Sequence, residues 1–260
     1  ELDEKGKVVV HKILPTVIHS NHRMTYNNVN RIINGEDLPE YRDAKDLFFL
    51  MKEVAGILHE KRKKRGSIDF DTNEAKILVD ENGHVEDITL RQRGESEHFI
   101  EEFMLCANET VAEHFKWMDL PFIYRVHEYP KEKKLRQFIS IARPLGYTIH
   151  GSLDHVTPHE LARVVDESIG RPEHTVIATL LLRCMQKARY DAQCLGHFGL
   201  ADEFYTHFTS PIRRYPDLLV HRLIRTFLFD KKMDRIKHFD ELIPYLAEQS
   251  SMRERVAVDT

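Results

Sequence analysis

The sequence predicts a helix-rich α+β fold, with its helices arranged around a mixed or antiparallel sheet. Three observations carry that expectation. Apolar residues recur at helical spacing over long stretches, first Leu47, Leu50, Met51, Val54 and Leu58, then Ile100, Phe103, Met104, Ala107, Val111 and Phe115. Short runs rich in β-branched residues lie between such stretches, and two of them flank an Asn-Gly turn. No internal repeat or low-complexity linker interrupts the 260 residues, so one unit is expected rather than two domains.

In chain order, residues 7–14 (KVVVHKIL) predict a strand ended by Pro15. Residues 25–33 predict a short helix stopped by Gly35. A long amphipathic helix follows from Tyr41 and ends in the run Lys61-Arg62-Lys63-Lys64-Arg65, with Gly66 as terminator. Cations suit the negative end of a helix, so this run reads either as a solvated helix end or as a phosphate-facing patch. After residues 68–71, a hairpin is expected from 75–79 and 84–90, turning at Asp80-Glu81-Asn82-Gly83. A helix over Glu95–Trp117, a strand over 122–126 and a helix over 131–145 ended by Gly146 come next. Residues 157–190 predict two helices separated by Gly170-Arg171-Pro172, then a Gly-containing loop at 194–200 and a final helix from Leu242.

The densest chemistry lies at residues 205–222, YTHFTSPIRRYPDLLVHR. Ser210 and Pro211 read as an N-cap and first helical residue, and Pro216 should stop or kink that turn near Tyr215. A second helix is then expected over 217–229, with Arg213 and Arg214 on the bend. An arginine fixed on such a bend suits a phosphate, because its guanidinium pairs bidentately and keeps its charge. An equally good reading is a lock from Arg213 or Arg214 to Asp217, and the two are compatible.

Composition excludes several classes. A hydrophobic content of 42% and charged content of 31% describe an ordinary globular chain, and a net charge of −4 excludes a basic coat over the whole surface. Cys106, Cys184 and Cys194 lie far apart without CxxC spacing, which fits a reducing compartment and no zinc knuckle. No stretch has membrane-spanning length or resembles a signal peptide, so a cytoplasmic protein without a membrane partner is expected. The chain begins at Glu1 and ends at Thr260 inside a charged helical pattern, as a piece of a longer protein would. Ser210 lacks the glycines of a nucleophile elbow, and His19 with His22 lacks the HExxH context of a metal site. Asp69 and Asp71 would share a strand face opposite Phe70, but two aspartates are thin for two-metal chemistry. Solvated aspartates around a buried or stacking Phe70 is the preferred reading.

HFTSPIRRYPDLLVHR also resembles the signature of the RNB family of exoribonucleases, ribonuclease II and ribonuclease R. The resemblance continues in SNHRMTYNNV (20–29), RGSIDF (65–70), IEEFMLCAN (100–108), YDAQCLGHFGLA (190–201) and SSMRERVAV (250–258). The HFGLA and HFTSPIRRYPDL spellings are more similar to bacterial ribonuclease R. The resemblance implies processive, magnesium-dependent hydrolysis of single-stranded RNA from its 3′ end to nucleoside 5′-monophosphates. It implies that Arg213 contacts the scissile phosphate as the catalytic arginine and that Phe70 stacks on terminal bases. Glu102 and Glu254 would lie near the bound 3′ end, with Arg214 as a further RNA-binding residue.

The family's metal-binding aspartates lie upstream of every aligned motif, and Asp69 and Asp71 do not match them. No metal ligand is therefore assigned, and magnesium is expected only in the parent enzyme. Residues 1–260 are expected to form a partial RNB catalytic domain, lacking the N-terminal metal-binding part and the flanking OB-fold modules. Such a polypeptide should be inactive alone and should dimerise through an exposed sheet edge. A non-catalytic RNA-binding protein derived from the family is the alternative; a purely structural scaffold, in which the arginines act only as locks, is a third reading.

Overall fold

A computed structural model describes residues 1–70, 74–91, 93–150, 153 and 156–259. Its helices are α1 (Tyr26–Ile33), α2 (Lys45–Arg65), α3 (Glu95–Trp117), α4 (Glu132–Ala142), α5 (Pro158–Ser168), α6 (His174–Cys184), α7 (Tyr215–Leu223) and α8 (Ile236–Asp259). The strands are β1 (Glu74–Val79), β2 (Val85–Arg91), β3 (Tyr124–Val126) and β4 (Arg189–Asp191). They form two separate antiparallel ladders, β1–β2 and β3–β4, in a chain that is mostly helical. The chain divides into two units where one was expected: Glu1–His59 with Phe70–Phe103, and Glu60–Asp69 with Met104–Thr260.

In the first unit, Thr25 caps α1 by accepting the Asn28 N–H at 3.3 Å. Val29 and Ile32 of that helix pack with Phe48, Ala55 and Phe99 in a buried cluster. Asn30 ties α1 to the start of α3, donating to Glu97 at 3.0 Å and accepting the Ser96 N–H at 2.9 Å. The β1–β2 turn is built by the Asp80 carboxylate, which accepts N–H groups from Asn82 and His84 at 2.8 and 2.9 Å. The strand expected over 7–14 does not form. Only a single bridge pairs Leu2 with Val8, and Val9, Val10 and Leu14 are exposed, so β-branched composition there finds no partner strand. Asp71 and the preferred reading of it lie outside the described residues.

In the second unit, α5 opens on a capping box between Thr157 and Glu160. The helix expected to reach Tyr190 stops at Cys184, because residues 189–191 pair with β3 instead. Both outer edges of this ladder are already used. The Arg125 N–H donates to the Tyr205 carbonyl at 2.9 Å, and the Tyr190 N–H donates to Ser251 Oγ at 2.8 Å. An open sheet edge is therefore not offered by β3–β4.

The largest local correction concerns the prolines. Pro211 starts no helix; residues 211–213 form a turn, and Pro216 sits in the first turn of α7 with Arg214 at the N-cap position. A proline there costs nothing, since the first N–H groups of a helix have no intrahelical acceptor. Residues 224–229 continue as a π-helical turn, and α8 begins at Ile236 rather than at Leu242. Among the described residues, no helix is long and apolar enough to cross a membrane.

Candidate nucleic-acid interface

The segment before α7 is held from several sides within the second unit. Thr206 Oγ1 donates to the Ile123 carbonyl at 2.7 Å, and the Phe208 N–H donates to Asn108 Oδ1 at 3.0 Å. Asn108 in turn donates to the Tyr205 hydroxyl at 3.2 Å. Phe208 stacks on His221, with ring centroids 4.5 Å apart. The backbone is thus fixed before the turn begins.

The turn itself closes on Asp217, whose side chain is fully buried. Its carboxylate accepts the Ser210 N–H at 2.7 Å and two guanidinium bonds from Arg214, at 2.8 Å from Nε and 2.7 Å from Nη2. Arg213 and Arg214 both donate backbone N–H groups to the Ser210 carbonyl, at 3.3 and 3.1 Å. Arg214 makes the lock; Arg213 is exposed, and its side chain has no protein partner among the described residues.

Glu254, on α8, pairs bidentately with Arg125 of β3 at 2.7 and 3.0 Å. The same guanidinium lies over the Tyr190 ring, 4.6 Å from its centroid. The Tyr190 hydroxyl meets His207 Nδ1 at 2.8 Å. Burial pushes the His207 pKa down to about 2, and the charges of Arg214, Arg125 and Arg213 add to that effect. The ring is neutral and shares one hydrogen bond with the tyrosine hydroxyl. Burial also raises Tyr190 to about 12, while Arg125, Glu254, Arg214 and Asp217 all act on its hydroxyl. Arg214 and Glu254 thus act electrostatically on Tyr190, and Arg214 and, more weakly, Arg213 act on His207.

Phe70 and Glu102 belong to the first unit. Phe70 is partly buried, and the Glu102 carboxylate, 7% exposed, meets His59 Nδ1 at 3.0 Å. Glu102 and His59 line a recess of about 380 Å³ together with Lys52, Glu95, His98 and Phe99.

Arg125, Tyr190 and Asn108 are given no role by the sequence reading. Arg125 alone left a signal there: a cation between Tyr124 and Val126 in a short apolar strand needs a partner when buried.

The described carboxylates around this segment are already engaged by the protein. Among the described residues, no group of three or more His, Cys, Asp or Glu side chains is placed to hold one. Asp217 is saturated by Arg214 and Ser210, Glu254 is engaged by Arg125, and Asp69 meets Arg62 at 2.7 Å.

The RNB domain family matches residues 1–230. Ribonuclease R 1 of Lactococcus lactis subsp. lactis is 48% identical over 262 residues, covering 100% of this chain and 32% of that protein. Ribonuclease R of Thermotoga maritima is 43% identical, covering 99% of this chain and 37% of its own length. The solved Mycoplasma genitalium RNase R, in complex with ribose methylated single-stranded RNA, superposes with a TM-score of 0.93 at 32% identity. That match covers 99% of this chain and 41% of the solved one. This chain spans about a third of the length of the curated relatives it matches. With the signature segment folded into a turn that separates one locked arginine from one exposed arginine, this chain belongs to the RNB domain family.

Proposed function

We propose that these residues supply the arginine-bearing part of the RNA site of a hydrolytic 3′→5′ exoribonuclease of the ribonuclease R type, acting on single-stranded RNA to release nucleoside 5′-monophosphates. One observation carries the reading: Arg213 is exposed and has no side-chain partner among the described residues, on a turn fixed by the Arg214–Asp217–Ser210 bonds. The names of the relatives and the RNA-bound state of the M. genitalium enzyme support it. In this reading Arg213 presents a rigid fork to the scissile phosphate, where it stabilises developing charge. Phe70 stacks on a terminal base, a contact of roughly 1–3 kcal/mol. Glu102 in the first unit and Glu254 in the second are each assigned a role in RNA binding, and Arg214 offers the guanidinium nitrogen not used by Asp217.

Magnesium chemistry belongs to the parent enzyme, whose proposed place of work is the cytoplasm. The polypeptide of 260 residues binds RNA without hydrolysing it, since its described carboxylates do not form a metal site. Self-association through an exposed sheet edge is expected, and a strictly monomeric chain in sizing experiments would count against it.

The test uses the parent enzyme. Arg213→Lys lowers turnover far more than RNA affinity, because a point charge replaces a bidentate fork; equal losses would mean that Arg213 only holds RNA. Magnesium-dependent release of mononucleotides by the isolated polypeptide would overturn the reading of inactivity.

A further inference from the structure

We propose that a cavity of about 410 Å³ in the second unit, between the end of α3, β3 and the start of α8, is a binding site for a small primary amine carrying an aromatic ring. It is separate from the Arg213 turn. Successive strand residues face opposite ways, so Tyr124 faces the cavity while its neighbour Arg125 reaches Glu254 from the other side of β3.

Tyr124 is the observation that makes the cavity a built site. Its side chain lines the cavity and the residue is only 5% exposed. Its hydroxyl nevertheless makes no hydrogen bond to any described residue, and the groups that act on it, Cys194 and Asp119, line the same cavity. Burial opposes its ionisation, and the nearby Cys194 and Asp119, which also line the cavity, add to that. The hydroxyl is therefore a donor and acceptor in the cavity wall with its capacity unused among the described residues, and a buried phenol ordinarily finds a partner.

The rest of the lining says what that partner is. Phe239 and Leu120 supply partly exposed apolar surface, while Phe122 packs edge-on against Tyr124, with ring centroids 5.1 Å apart. A ring of the ligand fits that wall. Asp119 and Asp240 stand at the rim against a single cation, Lys116, and none of the three has a side-chain partner among the described residues. Two carboxylates to one ammonium favour a cationic head and disfavour phosphate, so the occupant is not the RNA backbone.

The experiment is a titration of the purified 260-residue chain with 2-phenylethylamine, followed by calorimetry or ligand-observed NMR. Binding is expected with a Kd of about 1 mM, ordinary for a ligand of so few atoms. The isosteric acid 3-phenylpropionate is expected to bind at least about tenfold more weakly, as like charge at the rim requires. Asp240→Asn lies on an exposed position and tests the charge without endangering the fold; with Asp119→Asn it weakens amine binding by about tenfold. Tyr124→Phe, checked for an unchanged melting transition, weakens it by roughly 3–5-fold through the lost hydrogen bond. Equal affinity for the acid, unchanged affinity in both variants, or no binding by about 10 mM amine would each overturn the site.

Discussion

Two arginine-rich regions of the second unit look alike in sequence and behave differently. The end of α2 turns its cations onto the protein. Arg62 bonds Ser67 and Asp69, each at 2.7 Å; Lys63 meets Asp166 at 3.4 Å; and Arg65 reaches Glu109, Asp202 and the Leu200 carbonyl. The turn before α7 divides its pair: Arg214 faces inward onto Asp217, and Arg213 faces outward. Cationic density alone therefore says little about ligand binding. What matters is whether the fold supplies a carboxylate for each guanidinium, and at α2 it does so for Arg62, through the exposed Asp69, and for Arg65, through the largely buried Glu109 and Asp202. Neither reading of that run, a solvated helix end or a phosphate-facing patch, describes Arg62 and Arg65, whose guanidinium groups are taken up by protein carboxylates.

The strongest way to break the contrast is to remove the carboxylate that creates it. Asp217→Ala leaves the Arg214 charge half-buried and the Ser210 N–H without an acceptor, and should cost about 3–5 kcal/mol in chemical denaturation. A loss under about 1 kcal/mol would mean the turn is held mainly by Asn108, Thr206 and the Phe208–His221 stack. At the α2 end the equivalent lever is Gly66. Its φ is +100°, and an added Cβ would lie 2.8 Å from the backbone N and Cα of His159. Gly66→Ala should cost roughly 2–4 kcal/mol from combined strain and backbone clash, read from the same denaturation curves.

Acid separates the two regions further, because their buried titrating groups have opposite signs. His207 near the turn is pushed down to about 2 and His197 to about 3, both first by burial. A histidine whose folded pKa is depressed leaves the unfolded chain as the better proton acceptor, so its contribution is full above about pH 6.5 and is lost as pH falls below that value. Asp202, beside Arg65, behaves the other way. Burial and the Glu109 carboxylate raise it to about 7, so the folded state takes up its proton first and gains stability as pH falls from about 7 towards 4. From these three groups, the two histidine losses against the aspartate gain leave a net destabilisation of about 1–2 kcal/mol between pH 7 and pH 5, and His127, also lowered by burial, adds to it. Asp202→Asn removes the compensation and should at least double that loss. Urea midpoints at several pH values measure both, and an equal pH slope in the variant would remove Asp202 from the account.

The same pairing rule explains how far the sequence could be read. The bounds of α3 and the β1–β2 hairpin follow from helical spacing and from the Asn-Gly turn, both local signals. The absent strand at 7–14 and the present strand β4 depend on partners distant in sequence, which local composition does not report. Pro216 was misread because proline punctuates both the start and the end of a helix, and only the turn geometry decides between them. The arginines were legible as chemistry, but not their division of labour. From Asp217, Arg214 is three residues away and Arg213 four, and both spacings bring side chains together on a helix. The extended backbone of Arg214, at φ −126° and ψ 121°, marks it as lying outside the helix and selects the three-residue pairing.

Arg213 provides the smallest stability effect and the sharpest use of the comparison. An exposed side chain that touches no partner contributes nothing to the fold, so Arg213→Ala should move the denaturation midpoint by no more than about 0.5 kcal/mol. Arg214→Ala, one residue later, strands the buried Asp217 carboxylate and should cost several times as much. If both variants destabilise alike, Arg213 also serves the turn, and its exposure is a poor guide to what it does. If Arg213→Ala leaves stability untouched while fluorescence anisotropy shows weakened binding of single-stranded RNA, the side chain faces its ligand and nothing else. The retention of a charged residue at a position where the fold gains nothing from it then rests on RNA alone.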